Sequence, residues 1–208
     1  MIELIIEGVF LGLGLCFLLG PIFIVLIQAS IERGARAGLI AASGIWLSDI
    51  LIVYLVLHFI KNISPYVENK GFVFWMGLIG GGVLIGVGMA TFVKKSTISF
   101  DQEGIGAKGY FHLWLRGFMV NTINPFTIIF WLSIATTRVS RRHLDGQDAL
   151  LFMASIIVVI VLTDSIKVFL AKWIRTKITT EILMWINKIA GIALILFGFF
   201  MLIKSVWY

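Results

Sequence analysis

Six apolar stretches, at about 4–30, 38–59, 72–93, 113–135, 149–173 and 183–203, fill most of this 208-residue chain. Each is long enough to cross a hydrocarbon core of roughly 30 Å as a helix. Lipid offers no hydrogen-bond partners, so a crossing chain must satisfy its own backbone, which a helix does. With 60% hydrophobic and 13% charged residues and a mean hydropathy of +1.03, a soluble domain of this length would have nowhere to hide its apolar surface. The expected fold is an all-α integral membrane protein, a single membrane domain over residues 1–208 with six transmembrane helices. The N-terminal flank carries Glu3 and Glu7 where a secretory signal needs basic residues, and no small-residue cleavage site follows. The first helix is therefore expected to stay in the chain. The longest polar segment, 94–108, is too short and glycine-rich to fold by itself, which leaves no extramembrane place for an active site.

The six runs read as three elements followed by the same three. Leu18-Leu19-Gly20-Pro21 and Ile123-Asn124-Pro125 interrupt the first and fourth runs, and the run after each carries an aspartate behind a small polar residue: Ser48-Asp49 and Thr163-Asp164. Gly81, Gly88, Lys94 and Ser96 align, at an offset of about 110, with Gly191, Gly198, Lys204 and, one residue out of register, Ser205. An odd number of spans per unit makes successive units enter the membrane from opposite sides, so the expected architecture is two inverted three-helix repeats. These are residues 1–96 and 113–208, joined by a loop at 97–112, with the first and fourth helices broken at Gly20-Pro21 and Asn124-Pro125. Function then belongs at the repeat interface, near the bilayer midplane.

An aspartate at a helix centre costs about 2.5 to 3.5 kcal/mol to insert, so Asp49 and Asp164 together represent roughly 5 to 7 kcal/mol that needs a reason. Two readings stand. Either they bind neighbouring helices through hydrogen bonds, or at least one is a proton or cation site on a substrate pathway, since a carboxylate in low dielectric is a group tuned to exchange protons. Lys167 lies three residues after Asp164 on the same helix face, placed to pair with it or to snorkel toward Lys172. If it pairs, a zwitterionic substrate can open the couple by offering its own amino and carboxylate groups. Pro21 and Pro125 each free a carbonyl four residues back, of Phe17 and Asn121. Unwound backbone at this depth is tolerated around a polar cavity, or as a packing kink. The first reading predicts two breaks facing one site, with half-helix N-termini available to a carboxylate. Asn121 and Asn124, on a face shared with Gly117 and Ile128, serve either as cavity ligands or as interhelical glue.

The glycines of the third run include the spacings Gly77/Gly81 and Gly82/Gly86, which suit close packing within the chain or, as a second reading, a homodimer face. His58, His112 and His143 show no ligand spacing, and Cys16 is the sole cysteine, so neither a metal site, a disulfide within the chain nor any cofactor is expected. Fifteen loop or helix-end Lys and Arg divide nine to six in favour of the side that follows helices one, three and five, which puts both termini outside. The net charge of +6 comes from such scattered residues, which argues against a nucleic-acid partner and for anchoring at lipid headgroups.

The run from Gly8 to Ser30 with its Gly-Pro break, then Arg33-Gly34-Ala35-Arg36-Ala37-Gly38-Leu39 leading to Gly44 and Asp49, then Gly117 to Pro125, resembles the LysE/RhtB family of amino-acid exporters over essentially the whole chain. The resemblance implies a carrier of the bacterial inner membrane that exports amino acids or related small metabolites, driven by protons or another coupling ion. The family elements carry over to Gly20, Pro21, Gly34, Gly38, Gly44, Asp49, Asn121, Asn124 and Pro125. Two departures bear on substrate: Leu19-Gly20-Pro21 replaces the common Pro-Gly-Pro, and Phe126 stands where a lysine often follows Asn-Pro. The candidate transport pathway is thus Gly20, Pro21, Asp49, Asn121, Asn124, Pro125, Asp164 and Lys167, with Asp49 and Asp164 as proton-coupling candidates. Rival classes are a cation exporter of the same superfamily and, more remotely, an intramembrane aspartyl protease. The Gly-x-Gly-Asp signature of the latter is missing before both aspartates.

Overall fold

The computed structural model describes residues 1–16, 21–67, 70–93, 106–140, 142–144, 146–174 and 179–206. Gly20, Lys94 and Ser96 lie outside the described residues. The chain forms α1 (Ile2–Cys16), α2 (Pro21–Arg33), α3 (Ala35–Val67), α4 (Lys70–Val93), α5 (Ala107–Ile123), α6 (Pro125–Ile134) with a π-helical continuation Ala135–Ser140, α7 (Gly146–Ile174) and α8 (Thr180–Val206). No strand occurs among the described residues. Runs in α3 (Ala35–Phe59), α7 (Gly146–Ala171) and α8 (Thr180–Ser205) are each long and apolar enough to cross a membrane. α5 and α6 make a fourth crossing if the bent pair is one span, and Ile22–Ile31 and Gly77–Val93 are shorter apolar helices. Phe10, Tyr54, Ile79, Leu162 and Phe200 point outward, more than half exposed, as on a lipid-facing surface. This is an all-α, multi-pass membrane protein.

Local chemistry sets the two described breaks. Gly34, at φ +86°, takes the left-handed conformation open to a residue without Cβ, and its N–H donates to the Ser30 carbonyl, closing α2 before α3 begins. Asn124 has extended backbone (φ −69°, ψ 111°), as a residue before proline prefers, so α5 stops there. The same asparagine caps α6: the Phe126 N–H donates to Asn124 Oδ1 at 3.1 Å, and Pro125 fills the first helical position, where its missing N–H costs nothing. α5 and α6 meet at 61°. The break also ends the helical period, so Gly117, Asn121 and Asn124 are buried while Ile128, expected on their face, is 39% exposed. α5 starts at Ala107, six residues ahead of the apolar run at 113; Lys108, Tyr110 and His112 extend the helix past its apolar section.

Three glycine-lined contacts organise the packing. Gly12 of α1 sits against Ile156 and Val159 of α7, and Gly8 against Phe152 and Ser155, so these two helices run parallel. Gly117 of α5 sits against Ala41 of α3 and Gly44 of α3 against Trp114 and Phe118, and with Arg36 over Tyr110 on one side and Ser48 on Thr122 on the other these helices also run parallel. α4 and α8 run antiparallel, with Gly77 on Ser205, Gly81 on Gly198 and Gly88 on Gly191. At each contact a Cβ would collide with the partner helix, which is why glycine allows the close approach. Gly82 and Gly86 have nothing within 4 Å, so of the two small-residue spacings on α4 the Gly77/Gly81 pair packs within the chain and the other faces outward. Glu7 of α1 pairs with Arg138 (2.7 Å) and Arg142 (2.8 Å), tying α1 to the end of the π-helical segment.

Candidate functional site

Inside this bundle Asp49 of α3 and Asp164 of α7 are 5% and 3% exposed. The crossings just described deliver them: Asp49 lies eight residues beyond Ala41, Asp164 eight beyond Ile156. The ends of α1 and α2 (Cys16, Ile22, Phe23), the α5–α6 break (Asn121, Asn124, Phe126) and one face of α8 (Ile189, Leu194, Phe197) complete a cavity of about 380 Å³ lined by both aspartates and by Lys167.

Asp49 is held by neutral donors. Asn121 Nδ2 and Trp131 Nε1 each donate to Asp49 Oδ1 at 2.9 Å. Asn121 Nδ2 also reaches the Ile45 carbonyl at 3.1 Å, and Thr127 Oγ1 donates to Asn121 Oδ1 at 3.0 Å, which fixes the amide with its nitrogen toward the carboxylate. Asn121 precedes the break and Thr127 and Trp131 follow it, so one carboxylate oxygen fastens both halves of the bent pair. Asp164 instead has a cation. Lys167 Nζ donates to Asp164 Oδ1 at 3.0 Å, and Trp46 Nε1 of α3 donates to Oδ2 at a longer 3.3 Å. The small polar residues before each acid differ too: Ser48 shares a 2.8 Å hydrogen bond with Thr122 of α5, while Thr163 donates to its own helix at Ile160.

The cavity thus brings together Asp49, Asn121, Asn124, Asp164 and Lys167 of the sequence-derived candidates. Pro125 and Pro21 are the first residues of α6 and α2. The α6 N-terminus is not open to a carboxylate as expected, because Asn124 already accepts from its first amides: its side chain from Phe126 N–H and its carbonyl from Thr127 N–H. Sequence reasoning passed over Trp46, Trp131 and Thr127. The available signal was that a tryptophan in mid-span needs a partner for its indole N–H.

Residues 13–205 match the family described as LysE type translocator. The chain belongs to the LysE translocator family. It is a membrane transporter, not an enzyme. It is also similar to the "Putative amino acid efflux protein YcgF" of Bacillus subtilis (strain 168), 23% identical over 202 residues, which span 95% of this chain and 94% of that one. No solved structure matches the chain. For a LysE translocator, a transporter and not an enzyme, the protease reading of the two aspartates falls away.

Proposed function

We propose that this translocator exports amino acids or related small metabolites from the bacterial cytoplasm across the inner membrane, by alternating access and coupled to protons. The observation that carries the reading is the ion pair Asp164–Lys167 on the wall of a cavity that also holds a second carboxylate, Asp49. An α-amino acid presents an ammonium and a carboxylate together, and these are the partners that replace Lys167 on Asp164 and Asp164 on Lys167. A bare cation would have to displace the lysine without compensating it, which favours amino acid over metal ion as cargo. The relative's efflux name points the same way.

The architecture proposed is six spans in two inverted repeats, 1–96 and 113–208. Its support is reciprocity: α1 with α7 and α5 with α3 make like parallel contacts, each eight residues before an aspartate, and α4 with α8 makes an antiparallel one in which aligned glycines exchange places. In this scheme substrate enters from the cytoplasm and opens the Asp164–Lys167 pair. A proton arriving at Asp49 from outside then changes what that oxygen can accept, releases the hold across the α5–α6 break and lets the repeats rock.

The test is efflux from proteoliposomes loaded with a mixture of the common amino acids, with and without an imposed pH gradient, read by mass spectrometry. Gradient-dependent loss of amino acids is the expected result. Retention of all of them, with efflux of a metal ion instead, would remove amino-acid export.

A further inference from the structure

We propose that the cavity selects amino acids with a large apolar side chain, aromatic or branched aliphatic, over basic, acidic and small polar ones. This rests on the export reading and adds the side-chain class. Among the described lining residues seven of twenty are polar, and all seven lie on α3, the α5–α6 junction and α7. Apart from the Cys16 thiol and the Trp131 indole N–H, the other described lining side chains are hydrocarbon. Phe126 meets Phe197 of α8 edge-on at 5.5 Å between centroids and stacks at 6.4 Å on Phe130, which in turn meets Trp131 at 5.2 Å. Ile22, Ile160 and Leu194 add aliphatic surface.

Counting charges gives the same answer. A zwitterionic backbone uses Asp164 and Lys167, the cavity's ion pair. An acidic side chain would bring a second carboxylate with no second cation among the lining residues. A basic side chain would have to place its cation at Asp49, which two neutral donors hold and which takes the coupling proton in the proposed mechanism, so cation and proton would compete for one carboxylate. Serine or threonine would place a hydroxyl against the phenyl rings, where it finds no partner. Phe126, at the position after Asn-Pro, is itself part of the aromatic wall. The volume, about 380 Å³, is at the small end of the roughly 300–1,000 Å³ common for ligand pockets, so a single amino acid fills it and a long peptide does not.

The experiment uses the full chain in proteoliposomes loaded with equimolar phenylalanine, leucine, isoleucine, serine, threonine, lysine and glutamate. Phenylalanine, leucine and isoleucine should leave about tenfold or more faster than the rest, the discrimination a hydrophobic pocket provides. Phe197→Ser should lower the phenylalanine-to-serine efflux ratio; if that variant fails to fold, Phe197→Leu should lower the phenylalanine-to-leucine ratio. Lysine, glutamate or serine leaving as fast as phenylalanine, or ratios unmoved at position 197, would overturn the side-chain inference while leaving export intact. Efflux of none of the amino acids would remove the export reading itself, and this inference with it.

Discussion

Asp49 and Asp164 each follow a glycine-lined helix crossing by the same eight residues, and each accepts from an indole, yet the second donor is a neutral amide on Asp49 and an ammonium on Asp164. In the proposed mechanism the difference assigns the two acids different tasks, proton coupling to Asp49 and substrate exchange to Asp164. A carboxylate bound by neutral donors can gain or lose a proton without stranding a cation. One that compensates a partly buried lysine cannot, because the lysine would be left without a partner. The pairing also crosses between elements: Trp46, three residues before Asp49, serves Asp164, while Asp49 takes its indole from α6. Asp164 is therefore tied through Trp46 to the helix that carries Asp49, while Asp49 is tied to the α5–α6 break.

The comparison breaks most visibly at Lys167. Lys167→Met leaves buried Asp164 without its cation and with Trp46 as its remaining donor, a loss below the about 3–5 kcal/mol of a fully buried pair because Lys167 is only partly buried. The expected outcome is no efflux and a clearly lowered melting temperature. In the double variant Lys167→Met/Asp164→Asn the melting temperature should recover while efflux stays absent, and efflux in either variant would take the pair out of the mechanism. The next largest effect sharpens the division itself. Asp49→Asn should give a folded protein whose efflux no longer responds to an imposed pH gradient, whereas Asp164→Asn should lose substrate efflux whatever the gradient. Normal gradient response in Asp49→Asn, measured in the same proteoliposomes, would return the coupling role to Asp164 or to another group.

How far the sequence exposes this site follows from what each residue costs in lipid. Asp49, Asp164, Lys167, Asn121 and Asn124 stand out because ionisable and amide groups in apolar runs are expensive, and the cavity gathers all five. Asn124 and Pro125 could be placed at a helix boundary from backbone chemistry alone. Trp46 and Trp131 could not be assigned, since an indole reads equally as a lipid-interface anchor, and only the tertiary arrangement shows that each N–H ends on an aspartate of another helix. The filled cap at α6 was hidden for a related reason: whether Asn124 points at substrate or at Phe126 N–H is a side-chain torsion, not a spacing. The glycines of α4 show the same limit. Gly77/Gly81 and Gly82/Gly86 have identical spacing, and only the register of α8 decides which pair is covered.

The two indoles offer a finer comparison. Trp131→Phe removes one of two 2.9 Å hydrogen bonds on Asp49 and one side of the hold across the break, a loss of about 1.5–3 kcal/mol for a bond to a charged group. Trp46→Phe removes the longer 3.3 Å contact on an aspartate that keeps Lys167, so its effect on efflux should be several-fold smaller. Equal effects would mean that the two acids are held alike.

The smallest effects belong to α4, where the same substitution tests packing against α8. Gly88→Ala would press a methyl group onto the Gly191 carbonyl, with neighbouring atoms at 2.8 Å from the new carbon, so backbone must move. A cost of about 1–3 kcal/mol is expected, as for overpacking in a filled core. Gly86→Ala on the outward face meets nothing within 4 Å and should match or slightly exceed the wild-type melting temperature, because alanine loses less backbone freedom in a helix. Melting curves of the two purified variants decide it. If Gly86→Ala proved as damaging as Gly88→Ala, that face would be covered by something other than lipid.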